Sequence, residues 1–536
     1  MIRWRWPIQI TLLALFVALT VASAWPADIP VISTAWLQWN PLIAGVTAIA
    51  ARAVWATLAW SLVLVVATML VGRFFCGWMC PLGTILDLSN RFFKRRRKTA
   101  SDEIRPRARW KYYSLLSVFA VAVIGSAFGL ILDPLVLLTR TIVLVFVPFA
   151  AWTGYGSVVL ARMLPGQTAL SVPLLESPPL YAWMTTTALI FVGIIALERI
   201  ERRFWCRNLC PLGALLGILG RTGLVKRSVV AECTACSLCE RDCPMGAIPT
   251  ADFTSTHRDE CILCMRCSNA CSQAAVRFGR GGVHDAPGFV PERRQVLAAA
   301  ATGIGIGLLS ASSTNASIVP ARVIRPPGST PEEEFLARCT RCHACVEACP
   351  THGLQPLGLE AGWSAFWTPV LVPTIGGCEE PCHNCTQVCP TDAIRKLTHE
   401  EKSFARIGTA RILRERCVAW EELKACLVCD EVCPYDAIDF LTITDHIGTQ
   451  RRPVVNEEKC MGCGLCENAC PVHEPRAIVI DRYGEERLST GSYITPKKRQ
   501  LRELGDDRDT DYLREYRPYG VSADDDEPLP PGIILD

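Results

Sequence analysis

Glu232-Cys233-Thr234-Ala235-Cys236-Ser237-Leu238-Cys239-Glu240-Arg241-Asp242-Cys243-Pro244 holds four cysteines at a regular spacing and ends on proline. Its spacing is C-x2-C-x2-C-x3-C-P. Three cysteines in one tight loop reach three corners of a cubane iron–sulfur cluster. The fourth, beside a short helix, points to a neighbouring cluster. The proline after it stops the chain folding back into the first loop. A second run follows, Cys261-x2-Cys264-x2-Cys267-x3-Cys271. The expected sites are reciprocal: Cys233, Cys236, Cys239 and Cys271 at one [4Fe–4S] cluster, and Cys261, Cys264, Cys267 and Cys243 at the other.

Four more runs lie further along the chain. Cys339, Cys342, Cys345 and Cys349-Pro350 keep the standard spacing, as do Cys460, Cys463, Cys466 and Cys470-Pro471. Cys378, Cys382, Cys385 and Cys389-Pro390 widen the first gap by one residue, and Cys417, Cys426, Cys429 and Cys433-Pro434 place eight residues in it. The C-x2-C-x3-C-P end survives in both. Gly246-Ala247-Ile248, Asp392-Ala393-Ile394 and Asp436-Ala437-Ile438 supply the short apolar turn that packs on a cluster. Zinc sites favour paired C-x2-C units across a long gap, and disulfides would not repeat this grammar. The expected cofactors are six [4Fe–4S] clusters.

The 28 cysteines fall into seven groups of four with no thiol left over. The chain of 536 residues is 50% apolar and 20% charged, with net charge +3. Its mean hydropathy of +0.24 is high for that much charge, so the apolar residues must be concentrated. The composition excludes a disordered chain, and the length excludes a small secreted disulfide scaffold. The near-zero charge balance gives no nucleic-acid signature.

The apolar residues concentrate in the first half. Ile8–Trp25, Val54–Gly72, Tyr112–Leu132 and Leu180–Leu197 approach the roughly 20 residues that span a bilayer. Trp25, Trp36, Trp39, Trp55, Trp110 and Trp183 sit near their ends or in adjoining loops. Arg3 and Arg5, the Lys/Arg run 91–98, and Arg199, Arg202, Arg203 and Arg207 place the N-terminus and the chain after spans two and four in the cytoplasm. Leu135–Trp152 is also apolar, but Arg140 interrupts it and Asp133 precedes it. Spanning would move the Arg199–Arg207 cluster outside, so it is read as a re-entrant or interfacial piece. Met1–Ala24 has an alternative reading as a signal peptide ending in Ala22-Ser23-Ala24.

Val296–Ser310 is shorter and follows Glu292-Arg293-Arg294-Gln295. A Tat-like export signal, a plain anchor and a buried core helix are its three readings. The first two put the later runs outside the cytoplasm.

One group of cysteines stands apart. Phe75-Cys76-Gly77-Trp78-Met79-Cys80-Pro81-Leu82-Gly83 and Trp205-Cys206-Arg207-Asn208-Leu209-Cys210-Pro211-Leu212-Gly213 form an internal repeat. Cysteines at i and i+4 share a helix face. Cys76, Cys80, Cys206 and Cys210 are a candidate further metal or cluster site, with thiols where electrons enter, or simple packing, as the other readings. His343 and His383, inside cluster runs, are read as solvated loop histidines, with ligands or proton carriers as the alternative. Asp133 and Arg140 are candidates for quinol chemistry, with a wet loop as the plain alternative.

The membrane half with CGWMCPLG and CRNLCPLG, followed by a two-cluster ferredoxin, resembles the NapH and MauN families. The arginine pair and the four-cluster domain after it resemble NapG and MauM. The resemblance covers about residues 1–490. It implies an electron-transfer component of a quinol dehydrogenase, with the membrane quinone pool as donor and a periplasmic redox enzyme or electron carrier as acceptor. By resemblance to four-cluster electron-transfer subunits, the later runs nest, first with fourth and second with third; sequential pairing is the alternative.

The expected architecture is a membrane α-helical domain of four to five spans with two α+β bacterial-type ferredoxin domains. Residues 1–227 form the membrane domain and 228–285 the two-cluster domain. Residues 290–330 are the Tat-like or anchor segment and linker, 331–487 the four-cluster domain and 488–536 an acidic, disordered tail. The expected location is the bacterial inner membrane, with the first ferredoxin domain cytoplasmic and the second periplasmic. Maturation of a partner enzyme and redox sensing are the alternatives; no separate catalytic motif is present.

Overall fold

A computed structural model of the chain describes residues 2–23, 34–54, 59–92, 110–163, 179–230, 232–280, 285–286, 288, 290–312, 320–445, 448–473, 475–496 and 498–499. The basic run at 94–98, Trp25, Trp55, the proposed cleavage site at Ala24 and the tail from 501 lie outside them.

The apolar helices assemble around two half-helices that begin inside the core. Pro41–Ala50 starts at Asn40 and Pro134–Thr141 at Asp133. Each has proline at its first position, where the missing N–H costs nothing. Asn40 accepts from the Leu42 N–H and Asp133 from the Leu135 and Val136 N–H groups. The two caps are joined: Asn40 Nδ2 donates to Asp133 Oδ2 at 2.7 Å. Asn40-Pro41-Leu42 and Asp133-Pro134-Leu135 are thus equivalent parts of the same repeat that carries the two CPLG turns. Both caps are fully buried, which overturns a wet loop at Asp133.

Leu135–Trp152 is not a short re-entrant piece. A helix runs from Pro134 through a π-turn at Ile142–Phe146 into Val147–Met163. Among the described residues, Trp4–Val21 and Pro134–Ser157 are the helices long and apolar enough to cross a membrane. Pro41–Ala50, Trp60–Val71, Trp110–Val123 and Met184–Leu197 are apolar but shorter. Helix length alone therefore carries two spans, not four to five. Of the expected spans, Val54–Gly72 gives the helix Trp60–Val71, Leu180–Leu197 gives Met184–Leu197, and Tyr112–Leu132 gives Trp110–Val123 followed by a 3-10 turn at Phe128–Leu132, each helix short of a full span.

The Tat-like segment forms a 20-residue helix, Arg293–Ser312. It lies along Trp110–Val123, with Gly303 against Ser117 and Ala120 and Gly307 against Ile124. Small residues four apart let two helices approach closely. This helix connects two cysteine-rich units at opposite ends of the helical part. The first unit is closed by antiparallel strands Lys226–Val229 and Val276–Gly279. The second contains two subunits of the same plan: one around the pair Leu354–Pro356 and Pro369–Leu371, the other closed by Thr409–Ile412 and Ile478–Asp481.

At the first end, Arg203 of the second repeat and Arg5 of the N-terminal helix both bind Asp87, at 2.9 and 2.7 Å. All three are buried. Burial alone would raise the Asp87 carboxyl; the two guanidinia outweigh it and hold it well below the usual carboxylate range. Removing one partner of a buried ion pair typically costs about 3–5 kcal/mol, because the other charge is left unpaired. Asp87→Ala is expected to lose about that much stability, read as a lowered thermal midpoint of the detergent-solubilised chain; a midpoint equal to that of the unaltered protein would contradict this.

Candidate functional site

The loops that carry the cysteines share one backbone device. In the four runs of standard spacing, the residues on both sides of the second cysteine are left-handed: Ala235 and Ser237, Leu263 and Met265, Arg341 and His343, Gly462 and Gly464. Left-handed non-glycine residues are costly and persist where the surroundings demand them. Here they wind the loop so that three sulfurs face inward. The widened runs lack this pair around Cys382 and Cys426. After the Cys-Pro turns, the apolar pairs Ala247 and Ile248, Ala393 and Ile394, and Ala437 and Ile438 are buried as the sequence suggested. Backbone N–H groups donate to sulfur there: Ala247 to Cys243, Ile394 to Cys389 and Ala437 to Cys433, at 3.3–3.4 Å.

Three cavities each have four thiols in their walls. One gathers Cys243, Cys261, Cys264 and Cys267. Another gathers Cys349, Cys378, Cys382 and Cys385. A third gathers Cys417, Cys426, Cys429 and Cys470. Cys345 feels the charges of Cys339, Cys342, Cys389 and Cys385, and Cys466 those of Cys460, Cys463, Cys433 and Cys429; Cys385 and Cys429 already line the cavities above, which leaves two further sets of four. In the remaining set Cys239 faces Cys233 and shares a small core with Cys271, while Cys236 is exposed. The nested arrangement is therefore not what the structure shows. The first later run exchanges its fourth cysteine with the second, and the third with the fourth.

Burial pushes the thiols up, Cys382 to about 11 and Cys261, Cys389, Cys429 and Cys463 to about 12. Deprotonated sulfurs so placed require a cation to share their charge. Among the described residues, no three His, Cys, Asp or Glu side chains are gathered tightly enough for one bare ion. Four inward sulfurs around a cavity suit the corners of a cubane instead.

The seventh group also converges. Cys80, Cys206, Cys210 and Cys76 lie within range of one another's charge, and burial raises Cys206 to about 12. Two arginines, each three residues before the first cysteine of its repeat, cross over. Arg203 donates to the Cys76 and Gly83 carbonyls at 2.9 and 3.2 Å. Arg73 hydrogen-bonds Cys76 and reaches Gly213 and Gly217 of the other repeat. Both are buried. The sequence reading missed them, although Arg73-Phe-Phe-Cys and Arg203-Phe-Trp-Cys repeat in register. Gly77 lets the loop of the first unit come close: a methyl group there would overlap the Ile262 carbonyl. Trp78 Nε1 donates to Leu263 O at 3.0 Å, and Cys76, Cys206, Cys243 and Cys264 share one small core.

His343 is buried, not solvated. Its Nε2 pairs with the Trp367 carbonyl at 2.8 Å, and burial lowers it to about 3. His383 lies edge-on to His399.

Comparison with known proteins adds the family. Models described as "4Fe-4S binding domain" match residues 53–100 with 181–229, 231–246 with 258–274, and 335–355; a "4Fe-4S dicluster domain" model matches 424–473. The methylamine utilization ferredoxin-type protein MauM of Methylorubrum extorquens is 35% identical over 206 residues, 36% of this chain and 90% of the relative. The ferredoxin-type protein NapG of Escherichia coli is 34% identical over 186 residues, 34% of this chain and 78% of the relative. The chain belongs to the MauM and NapG ferredoxin-type proteins. It is an iron–sulfur electron-transfer protein of ferredoxin type. The putative electron transport protein YccM of Escherichia coli is 27% identical over 218 residues, 39% of this chain and 52% of the relative. No solved structure matches.

The pairing has a consequence for iron content. Cys417→Ala and Cys470→Ala are expected to cost the same cluster, so the double variant loses no more iron than either single one. Iron losses that add would restore nested pairing.

Proposed function

We propose that this chain is a multi-pass protein of the bacterial inner membrane that oxidises quinol and hands electrons one at a time to a periplasmic redox partner. Each [4Fe–4S] cluster, when bound, supplies one-electron transfer. The observation that carries this reading is the succession of thiol sites linked by shared cysteine runs, the first of them seated on the helical part.

At the second end, the run Cys339–Cys345 sits on the helices: Arg341 lies over the Phe128 ring at 5.4 Å, and the Ala127 N–H donates to the Leu336 carbonyl. That run's Cys349 belongs to the next site. There Cys378 N donates to Cys463 O at 2.7 Å, which brings in the third site. The third shares its runs with the last, around Cys417, Cys426, Cys429 and Cys470. At the first end, the CPLG thiols, the Cys243 site and the exposed Cys236 form a shorter succession. We assign the CPLG thiols a seventh cluster, whose charge Arg73 and Arg203 would offset.

Membrane residence is supported by apolar side chains turned outward from the helices. Leu62, Val63 and Val66 on one helix, Leu189 and Val192 on another, and Phe149 at 62% exposure are open to the surroundings. Water would disfavour such a belt and lipid would not. With the Cys339 run seated directly on the helical part, electrons from quinol need not pass through the first unit.

Anaerobic membranes test the donor. A short-chain quinol is expected to bleach the cluster absorbance, and the purified chain to carry about 24 iron atoms from six clusters, or about 28 with the seventh. Bleaching by dithionite but not by quinol would refute the quinol reading.

A further inference from the structure

Arg140 is the charged residue that interrupts the helix Pro134–Thr141, and the chemistry assigned so far does not use it. It is 1% exposed. Its Nε and Nη1 are buried with no hydrogen-bond partner among the described residues. A buried charged donor left unpaired costs more than an ordinary lost hydrogen bond, so an acceptor is called for. The nearest carboxylate along its own helix is committed elsewhere: Asp133 accepts from Asn40, Leu135 and Val136. The Trp367 ring covers the guanidinium at 4.0 Å, which favours the cation but takes none of its N–H groups.

What lies beside it is the Cys339–Cys345 loop. The Trp367 carbonyl is bonded to His343, the residue after Cys342. The charges that Arg140 feels are Arg341, of like sign, and the Cys342 sulfur, of opposite sign. Arg341 is already spent on the carbonyls of Cys339, Ser364 and Phe366. Arg140 is thus a cation from the helical part with two unpartnered donors, beside the loop that carries Cys342.

We propose that Arg140 is a positioning residue for the site of Cys339, Cys342, Cys345 and Cys389: it donates to the sulfurs of the cluster held there and raises its reduction potential, making it the point at which the second unit receives electrons. This rests on the site being loaded with a [4Fe–4S] cluster, and not on quinol being the donor. A hydrogen bond to sulfur and a nearby positive charge both stabilise the reduced, more negative cluster.

The test is an EPR-monitored titration of the full-length chain in lipid nanodiscs, poised with dithionite and without quinol. Arg140→Gln is expected to lower the reduction equilibrium of one cluster at least tenfold, 59 mV for a one-electron couple, with the other midpoints unmoved. Midpoints all unchanged at full iron content would overturn the proposal, as would an equal shift in every cluster. Should Arg140→Gln fail to fold, pulsed EPR on protein with 15N-labelled arginine carries the test. A nitrogen coupling to the reduced cluster should weaken in Arg140→Lys, and identical spectra would overturn the assignment. Because dithionite replaces quinol, a failure here leaves the donor question untouched, and a failure of quinol bleaching leaves this one untouched.

Discussion

Four deprotonated sulfurs cannot be buried side by side unless something positive shares their charge, and that constraint shapes the whole chain. Burial raises the thiols in nearly every set. The protein meets the cost locally. Arg227 approaches Cys239 at 3.5 Å, Arg73 hydrogen-bonds Cys76, and Lys402 bonds Cys378 while holding the carbonyls of Glu379 and Glu380. Backbone N–H groups add further donors. Left-handed residues on either side of the second cysteine serve the same constraint in the four runs of standard spacing, where they wind the short loop so that three sulfurs face one centre.

Exchange of the fourth cysteine then does a second job. It fixes the separation of paired sites, because a single run of chain reaches both. Cys243 and Cys349 are each walls of a cavity whose other three thiols come from the next run. Such pairs need a further device to join one another. In the second unit that device is backbone contact between Cys378 and Cys463, where a side chain at Gly377 would run into Leu465. Close approach between sites is thus built from backbone, which does not change rotamer.

These features were unequally legible in the sequence. The six runs could be read because their spacing is local, and the apolar turns after Pro244, Pro390 and Pro434 could be read for the same reason. Which run pairs with which could not, because nested and sequential exchange use the same cysteine spacings and only the folded chain shows which fourth cysteine enters which cavity. His343 looked like a loop histidine by composition; the docking of Trp367 over Arg140 buries it. The half-helix caps and the crossed arginines left a signal that was overlooked. Asn40-Pro-Leu matches Asp133-Pro-Leu, and Arg73-Phe-Phe-Cys matches Arg203-Phe-Trp-Cys. The second repeat is stretched by the long helix Val147–Met163, which hides the correspondence from any fixed-spacing comparison.

That repeat bears on the path of electrons. A two-fold arrangement of half-helices and CPLG turns places the thiols of Cys76, Cys80, Cys206 and Cys210 at one end of the helical part and leaves Arg140 at the other. The asymmetry lies at the second end. The position of the first repeat that corresponds to the start of Pro134–Thr141 carries Asn40, which is neutral, and its half-helix Pro41–Ala50 has no charged residue at all. Only the second half-helix carries a cation to the surface where the Cys339 run is seated. The two half-helices thus differ in charge at two places: Asp133 stands where the first repeat has Asn40, and Arg140 has no charged counterpart in Pro41–Ala50. On the proposed reading, that difference gives the succession of sites a direction, and it explains why an arginine is kept in an otherwise apolar helix where burial works against it.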